Sequence, residues 1–188
     1  MIAVRGLSGA PSARPRPRPS LVRREEPSAM IDPMDEVSTD IDAPPEVVYD
    51  LVADVTQMGR WSPETYRCEW LGDATGPAVG ARFKGWNRAR FGPVPARWST
   101  VATVRRADRG RAFSFDTKQS ATRWTYRFEP IERGTRATES RESIGENLRN
   151  KVLNAVVPQR QGVLRDGMAE TLQRLKTAAE GSSGPATQ

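Results

Sequence analysis

Between Val37 and Asp42 the chain alternates Val37, Thr39 and Ile41 with Ser38, Asp40 and Asp42, the period of two expected of a strand with one buried face. Pro44 and Pro45 follow at once and pre-set φ for a first helical turn that needs no N–H donor, while Glu46 places an acid where the helix dipole favours it. Val47, Val48, Leu51, Val52 and Val55 then recur at helical spacing. Gly59 is expected to end that helix just before Trp61 and the Ser62-Pro63 turn.

The rest of the chain reads as strand after strand divided by turn signals. Tyr66–Leu71, Ala81–Arg88, Trp98–Arg105, Arg111–Thr117, Ala121–Glu129 and Arg136–Glu142 are the expected strands, with GDATGPAVG and the Gly-Pro loop at Phe91 to Pro95 as turns. Short loops between consecutive strands imply an antiparallel meander, because parallel neighbours need long crossovers. From Gly162 to Glu180 the helical period returns, with Leu164, Met168, Leu172, Leu175 and Ala179 on one face that must pack on the sheet. Ser143 to Gln161 is ambiguous between a helical turn and a flap, and Pro158 divides it from the last helix.

Length and charge narrow the reading. A chain of 188 residues suits one core of ordinary size. The formal charge of +6 comes from one end: Met1 to Arg24 holds six of the 29 basic residues and no acid, which leaves 23 basic against 23 acidic residues in the remainder. A basic balance that resides in a tail is weak evidence for a nucleic-acid surface, and none is expected on the folded domain. The ARPRPRP run inside that tail removes helix donors and restricts each residue before a proline, so residues 1–34 and the short tail 182–188 are expected to be disordered around a domain at 35–181. Three readings of the first segment stay open: an interaction tail drawn to anionic lipid or nucleic acid, a transit-like peptide, or upstream sequence joined to a gene that starts at Met30 or Met34. No apolar run approaches the ~20 residues needed to span a bilayer, and a cytoplasmic location is expected.

The residues that are missing exclude much chemistry. There is no histidine, so the usual zinc sites and Ser-His or Cys-His nucleophiles are unavailable, and no metal or cofactor is expected. One cysteine rules out an internal disulfide; Cys68 lies on a strand, where it is either a small buried apolar residue or a thiol with no imidazole to activate it. The candidate site residues are therefore aromatic and carboxylic. Trp124, Tyr126 and Phe128 share a strand face, Phe113 and Phe115 share another, and Phe83, Gly85 and Asn87 a third. Each set fills a core or lines a cavity. Glu139 shares a face with Ala137, and a carboxylate facing an apolar cavity would have a raised pKa and could orient a ligand or act as a base; its alternative is a surface ion pair with an arginine. Tyr126, and Asp116 more remotely, are the other groups with a proton to move.

The Ile41 to Pro63 segment, GARFKGWNR at Gly80 to Arg88, the Trp98 to Val104 strand, GTRATES at Gly134 to Ser140 and the closing helix GMAETLQRLKTAAE at Gly167 to Glu180 together resemble the SRPBCC superfamily, which groups START-like lipid carriers with polyketide cyclase/dehydrase and lipid-transport proteins. The resemblance spans Val37 to Glu180 and rests on the order and spacing of aromatic and glycine positions. It implies an α+β helix-grip fold: a seven-stranded curved antiparallel sheet around a long C-terminal helix, with two short helices after the first strand. It also implies an apolar cavity between sheet and helix, and the expected ligand-binding residues are Trp61, Phe83, Asn87, Trp98, Phe113, Phe115, Trp124, Tyr126, Glu139 and Met168. Binding or transport of a hydrophobic lipid-like or polyketide-like molecule is the first expectation. A cyclase or dehydratase-like enzyme using Glu139 and Tyr126 is the second; no cyclase-specific catalytic motif is present, and the chain offers few groups with a tunable pKa. A third class is an interaction module that uses the basic tail.

Because the first 29 residues lack apolar periodicity, a chain starting at Met30 is expected to melt at the same temperature as the full chain in calorimetry; a drop of several degrees would show that the tail packs on the domain.

Overall fold

The alternating strands and the two helical stretches assemble as the pattern requires. The computed structural model describes residues 35–91, 94–145 and 160–182. Seven strands, β1 (Asp35–Ile41), β2 (Thr65–Leu71), β3 (Arg82–Phe91), β4 (Val94–Asp108), β5 (Ala112–Thr117), β6 (Thr122–Ile131) and β7 (Gly134–Ser143), form one sheet in the order β1-β7-β6-β5-β4-β3-β2. Every neighbouring pair is antiparallel. Strands β2 to β7 follow one another as a meander, and β1 closes the other edge by pairing with β7. Helices α1 (Pro45–Ala53) and α2 (Met58–Trp61) stand between β1 and β2, and the long helix α3 (Arg160–Ser182) comes last. This is the helix-grip arrangement.

Two stretches depart from the sequence reading. The loop expected at Phe91 to Pro95 is mostly strand, with Arg90 opposite Pro95 and Phe91 opposite Val94, because β3 and β4 stay paired that far along the hairpin. The helical pattern from Val47 to Val55 does not run on to Gly59. Helix α1 ends at Ala53, and Asp54 caps a short 3-10 turn at Val55–Gln57 by accepting from the Thr56 N–H at 3.2 Å and from the Gln57 side-chain amide at 2.7 Å. Gly59 lies inside α2, where a Cβ would stand 2.5 Å from the Tyr66 carbonyl oxygen, so its role is close approach of helix to strand. Gly134 is required for two reasons at once: its φ is +95°, and a Cβ would lie 2.1 Å from the Ile41 carbonyl oxygen. That contact fixes where β7 begins beside the end of β1, in the register Ile41↔Thr135. The ambiguous segment after Ser143 lies mostly outside the described residues.

The core sits between the sheet and the helices. Ile41, Val48, Val52, Val55, Val104, Phe113, Leu172 and Leu175 are essentially inaccessible. Met168, Leu172, Leu175 and Ala179 are buried on one face of α3, as their spacing predicts, and Leu164 is half-buried one turn earlier. The Lys176 ammonium donates to the Asp40 carbonyl oxygen at 2.6 Å, and Glu180 accepts from the Asp42 N–H at 2.9 Å, so polar contacts from α3 also hold the end of β1. Leu172→Ala is expected to lower the unfolding free energy by roughly 2–5 kcal/mol in urea denaturation, the usual range for a fully buried leucine; a change below about half a kcal/mol would place α3 outside the core.

Candidate functional site

Strand alternation sends Phe113, Phe115, Trp124, Tyr126, Phe128, Ala137, Glu139 and Arg141 to one face of the sheet, the face the helices cover. Cross-strand register arranges them in rows. Phe113, Tyr126, Glu139 and Val37 lie side by side across β5, β6, β7 and β1, and the next row is Phe115, Trp124, Arg141 and Asp35.

Part of this face is filled by interlocked rings. Phe83 packs edge-on to Trp70 at 5.6 Å and to Phe115 at 5.1 Å, Phe115 neighbours Phe113 at 5.9 Å, and Tyr49 of α1 meets Phe113 and Phe128 edge-on. Of the residues expected to bind a ligand, Phe83, Phe113 and Phe115 therefore stand in a packed aromatic chain. Trp61 is buried in the same core, and its indole N–H donates to the Leu51 carbonyl at 3.2 Å, tying α2 to α1. Asn87 is buried on the β3–β4 hairpin: its amide oxygen accepts from the Thr65 hydroxyl at 2.6 Å, its amide nitrogen donates to the Thr100 hydroxyl at 3.3 Å, and Trp98 lies directly opposite it. Asn87 is not hydrogen-bonded to Glu139 or Tyr126. Trp98 and Trp124 are half-buried, and Met168 is buried but outside the contiguous apolar cluster.

The chemistry concentrates at Tyr126 and Glu139. They are opposite each other on β6 and β7, both almost wholly buried, and the Tyr126 hydroxyl donates to Glu139 Oε1 at 2.8 Å. Among the described residues, Glu139 Oε2 is buried with no hydrogen-bond partner. A buried polar atom without a partner costs about 1–3 kcal/mol, more when charged, so few survive without a reason. Burial pushes the Glu139 carboxyl up to about 8, and the hydrogen bond from Tyr126 offsets only part of that rise. Burial raises Tyr126 well above its ordinary value, and the Glu139 charge and the bond to it act in the same direction. Cys68 is buried on β2, where desolvation pushes its thiol up to about 12; it is the inert, packed cysteine of the two alternatives.

Glu139 is thus not the surface ion pair that the arginine-rich composition allowed. The arginine nearest in sequence on that face, Arg141, pairs instead with Asp35: its Nε lies 2.7 Å from Oδ2, and both side chains are largely buried. Sequence reasoning missed this pair, although Arg141 stands two residues beyond Glu139 on the same strand face and that spacing was available. Asp116 points to the opposite face. Burial raises its carboxyl, but the Arg123 and Arg105 guanidiniums outweigh burial and hold it below the usual range, so it is a structural anion rather than a base. An open cleft of about 340 Å³ is lined by Tyr49, Ala53, Asp54, Trp70 and Pro77 among others, and none of the expected site residues borders it.

The raised Glu139 value sets a pH dependence. The folded state keeps a proton that the unfolded chain has already released, so this group lowers stability progressively as pH rises from about 4.5 to about 8, and the loss is complete above that range. Glu139→Gln is expected to flatten this slope in urea denaturation across the same window and to melt above wild type at the alkaline end. An unchanged slope would mean that Glu139 is not the titrating group.

Residues 36–180 match the family model described as polyketide cyclase / dehydrase and lipid transport. The fold matches a polyketide-cyclase-like protein from Corynebacterium glutamicum at 29% identity and TM-score 0.55, over 85% of this chain and 100% of that one. It also matches a protein from Thermus thermophilus at 20% identity and TM-score 0.56, over 79% of this chain and 98% of that one. The di-domain aromatase/cyclase of the steffimycin biosynthetic pathway matches at 14% identity and TM-score 0.61, over 80% of this chain and 51% of that one. No curated protein matches the chain significantly in sequence. With the family model covering most of its length, the chain belongs to the polyketide cyclase/dehydrase and lipid-transport family of the SRPBCC superfamily.

Proposed function

We propose that the protein binds a hydrophobic small molecule between the inner face of the sheet and α3, with the Tyr126–Glu139 pair as the polar contact that orients it. The observation that carries this reading is Glu139 Oε2, a carboxyl oxygen buried on an aromatic-lined face with its own hydrogen-bonding capacity unused. A hydroxyl or carbonyl on an otherwise apolar ligand would satisfy it: the neutral acid donates to a carbonyl, and the carboxylate accepts from a hydroxyl. Half-buried Trp124, one row from the pair, and Met168, buried on α3, supply the adaptable apolar surface of this reading. Membership of a family that includes lipid-transport proteins supports a carrier.

A second reading is favoured by one specific feature. A carboxyl at about 8 beside a tyrosine has the value expected of a general base at neutral pH, so the same site could catalyse cyclisation or dehydration of its ligand.

Titration of the full chain with the apolar fluorophore N-phenylnaphthylamine is expected to give about one site per chain, weakened by Trp124→Ala more than folding is weakened. Native mass spectrometry of the protein from its own host then names the natural ligand. A carrier returns that molecule unchanged after incubation, whereas an enzyme converts it, and Glu139→Gln abolishes the conversion while binding persists. Absence of both probe binding and a co-purifying molecule would overturn the reading.

A further inference from the structure

The outer face of the sheet carries its charge unevenly. From β1 across to the C-terminal end of β4, arginines meet carboxylates: Arg136 pairs with Asp40, Arg127 with Glu36, both Arg105 and Arg123 with Asp116, and Arg106 with Asp108. Along β3 and the first residues of β4 they do not. The outward positions of β3 read Arg82, Lys84, Trp86, Arg88, Arg90, and Arg97 of β4 lies directly opposite Arg88. Among the described residues, none of these cations has a carboxylate within ion-pair distance, and Glu69, directly opposite Lys84, is taken by Arg67. Like charges directly opposite on a strand pair destabilise it, so the Arg88–Arg97 pairing is a cost that the rest of the sheet avoids.

Two aromatic side chains are set among the cations. Arg67 and Lys84 both lie 4.8 Å from the Trp86 ring centroid, and Arg88 lies 5.6 Å from that of Tyr66, which is 42% exposed at the sheet edge. From Arg82 to Arg90 the stripe runs for ~27 Å at the usual rise of an antiparallel strand, enough to cover several lipid headgroups.

From this juxtaposition we propose that the outer face of β2–β3–β4 docks the protein on an anionic lipid surface. Charge complementarity selects an anionic partner, and interfacial tryptophan and tyrosine among arginine and lysine suit the headgroup layer, where each amphipathic ring sits with its polar end in water. Single-stranded nucleic acid fits less well: base stacking needs a free aromatic face, and the Trp86 ring is already covered by two cations. Contact is peripheral, since no helix among the described residues is long and apolar enough to cross a membrane. The proposal stands apart from the ligand site, which lies on the opposite face of the sheet.

Co-sedimentation of the full chain with phosphatidylcholine vesicles, with and without phosphatidylglycerol, tests it. Binding is expected only with the anionic lipid and is expected to weaken steeply as salt rises. Lys84→Glu with Arg88→Glu should lower the partition coefficient by at least about tenfold, from the contribution of each basic residue near an anionic surface. The neutral pair Arg88→Gln with Arg97→Gln should reduce binding by a smaller factor and raise the melting temperature by removing the like-charge pair, which separates lost docking from lost folding. Fluorophore binding at the Glu139 site should be unchanged in both variants. Vesicle binding that persists in both would assign it to the basic N-terminal segment and overturn the proposal, as would tighter binding to a single-stranded oligonucleotide than to the anionic vesicles at equal salt.

Discussion

The constraint behind every other feature is that one antiparallel sheet presents an apolar face that it cannot cover by itself. Strand alternation commits Ile41, Val104, Phe113, Phe128 and Ala137 to the same side, and water must be excluded from all of them together. Helix α3 covers much of that side with Leu172, Leu175 and Ala179, and α1 covers more of it with Val48, Tyr49 and Val52. The contacts at the end of β1 hold the arrangement in place: Gly134 lets β7 approach the Ile41 carbonyl, and Lys176 and Glu180 fasten α3 to the same few residues. The coverage is uneven, with interlocked aromatic rings around Phe83, Phe115 and Tyr49, and a carboxyl lacking one partner at Glu139.

That unevenness gives the site its chemistry. A carboxyl next to the aromatic chain has lost its water, and one hydrogen bond from Tyr126 does not replace it. The neighbouring charge is no help, because Arg141 is held by Asp35. Had Arg141 turned to Glu139 instead, its charge would have opposed the rise that burial causes and the inner face would hold an ion pair. The protein thus keeps a group near neutrality on its apolar face and neutralises charge elsewhere.

Much of this was legible in the sequence. All seven strands, the antiparallel meander and the buried face of α3 follow from period-two and helical spacing, because those patterns are the direct imprint of one-sided burial. That Tyr126 shares a face with Phe128, and Glu139 with Ala137, was legible for the same reason, but not whether Glu139 turned inward or met a surface arginine. The break after Ala53 was not, since it depends on an Asp54 cap and on the tight approach of Gly59 to Tyr66, contacts that periodicity does not encode. Nor was the choice between core and site among the aromatics: Phe83 and Trp124 look alike in sequence, and only packing separates the ring locked between Trp70 and Phe115 from the half-buried indole beside Arg141. The uneven pairing of arginines on the outer face was equally invisible, because it depends on which acid faces which strand.

Glu139 is desolvated, and among the described residues its Oε2 has no hydrogen-bond partner; a ligand on this face, as proposed, would change how it titrates. Carboxyl-carbon NMR titration of Glu139 measures this directly, in the free protein and again with N-phenylnaphthylamine bound. A midpoint of about 8 is expected in the free protein, with a shift of that midpoint on binding. A midpoint in the ordinary carboxylate range, unmoved by the fluorophore, would contradict it.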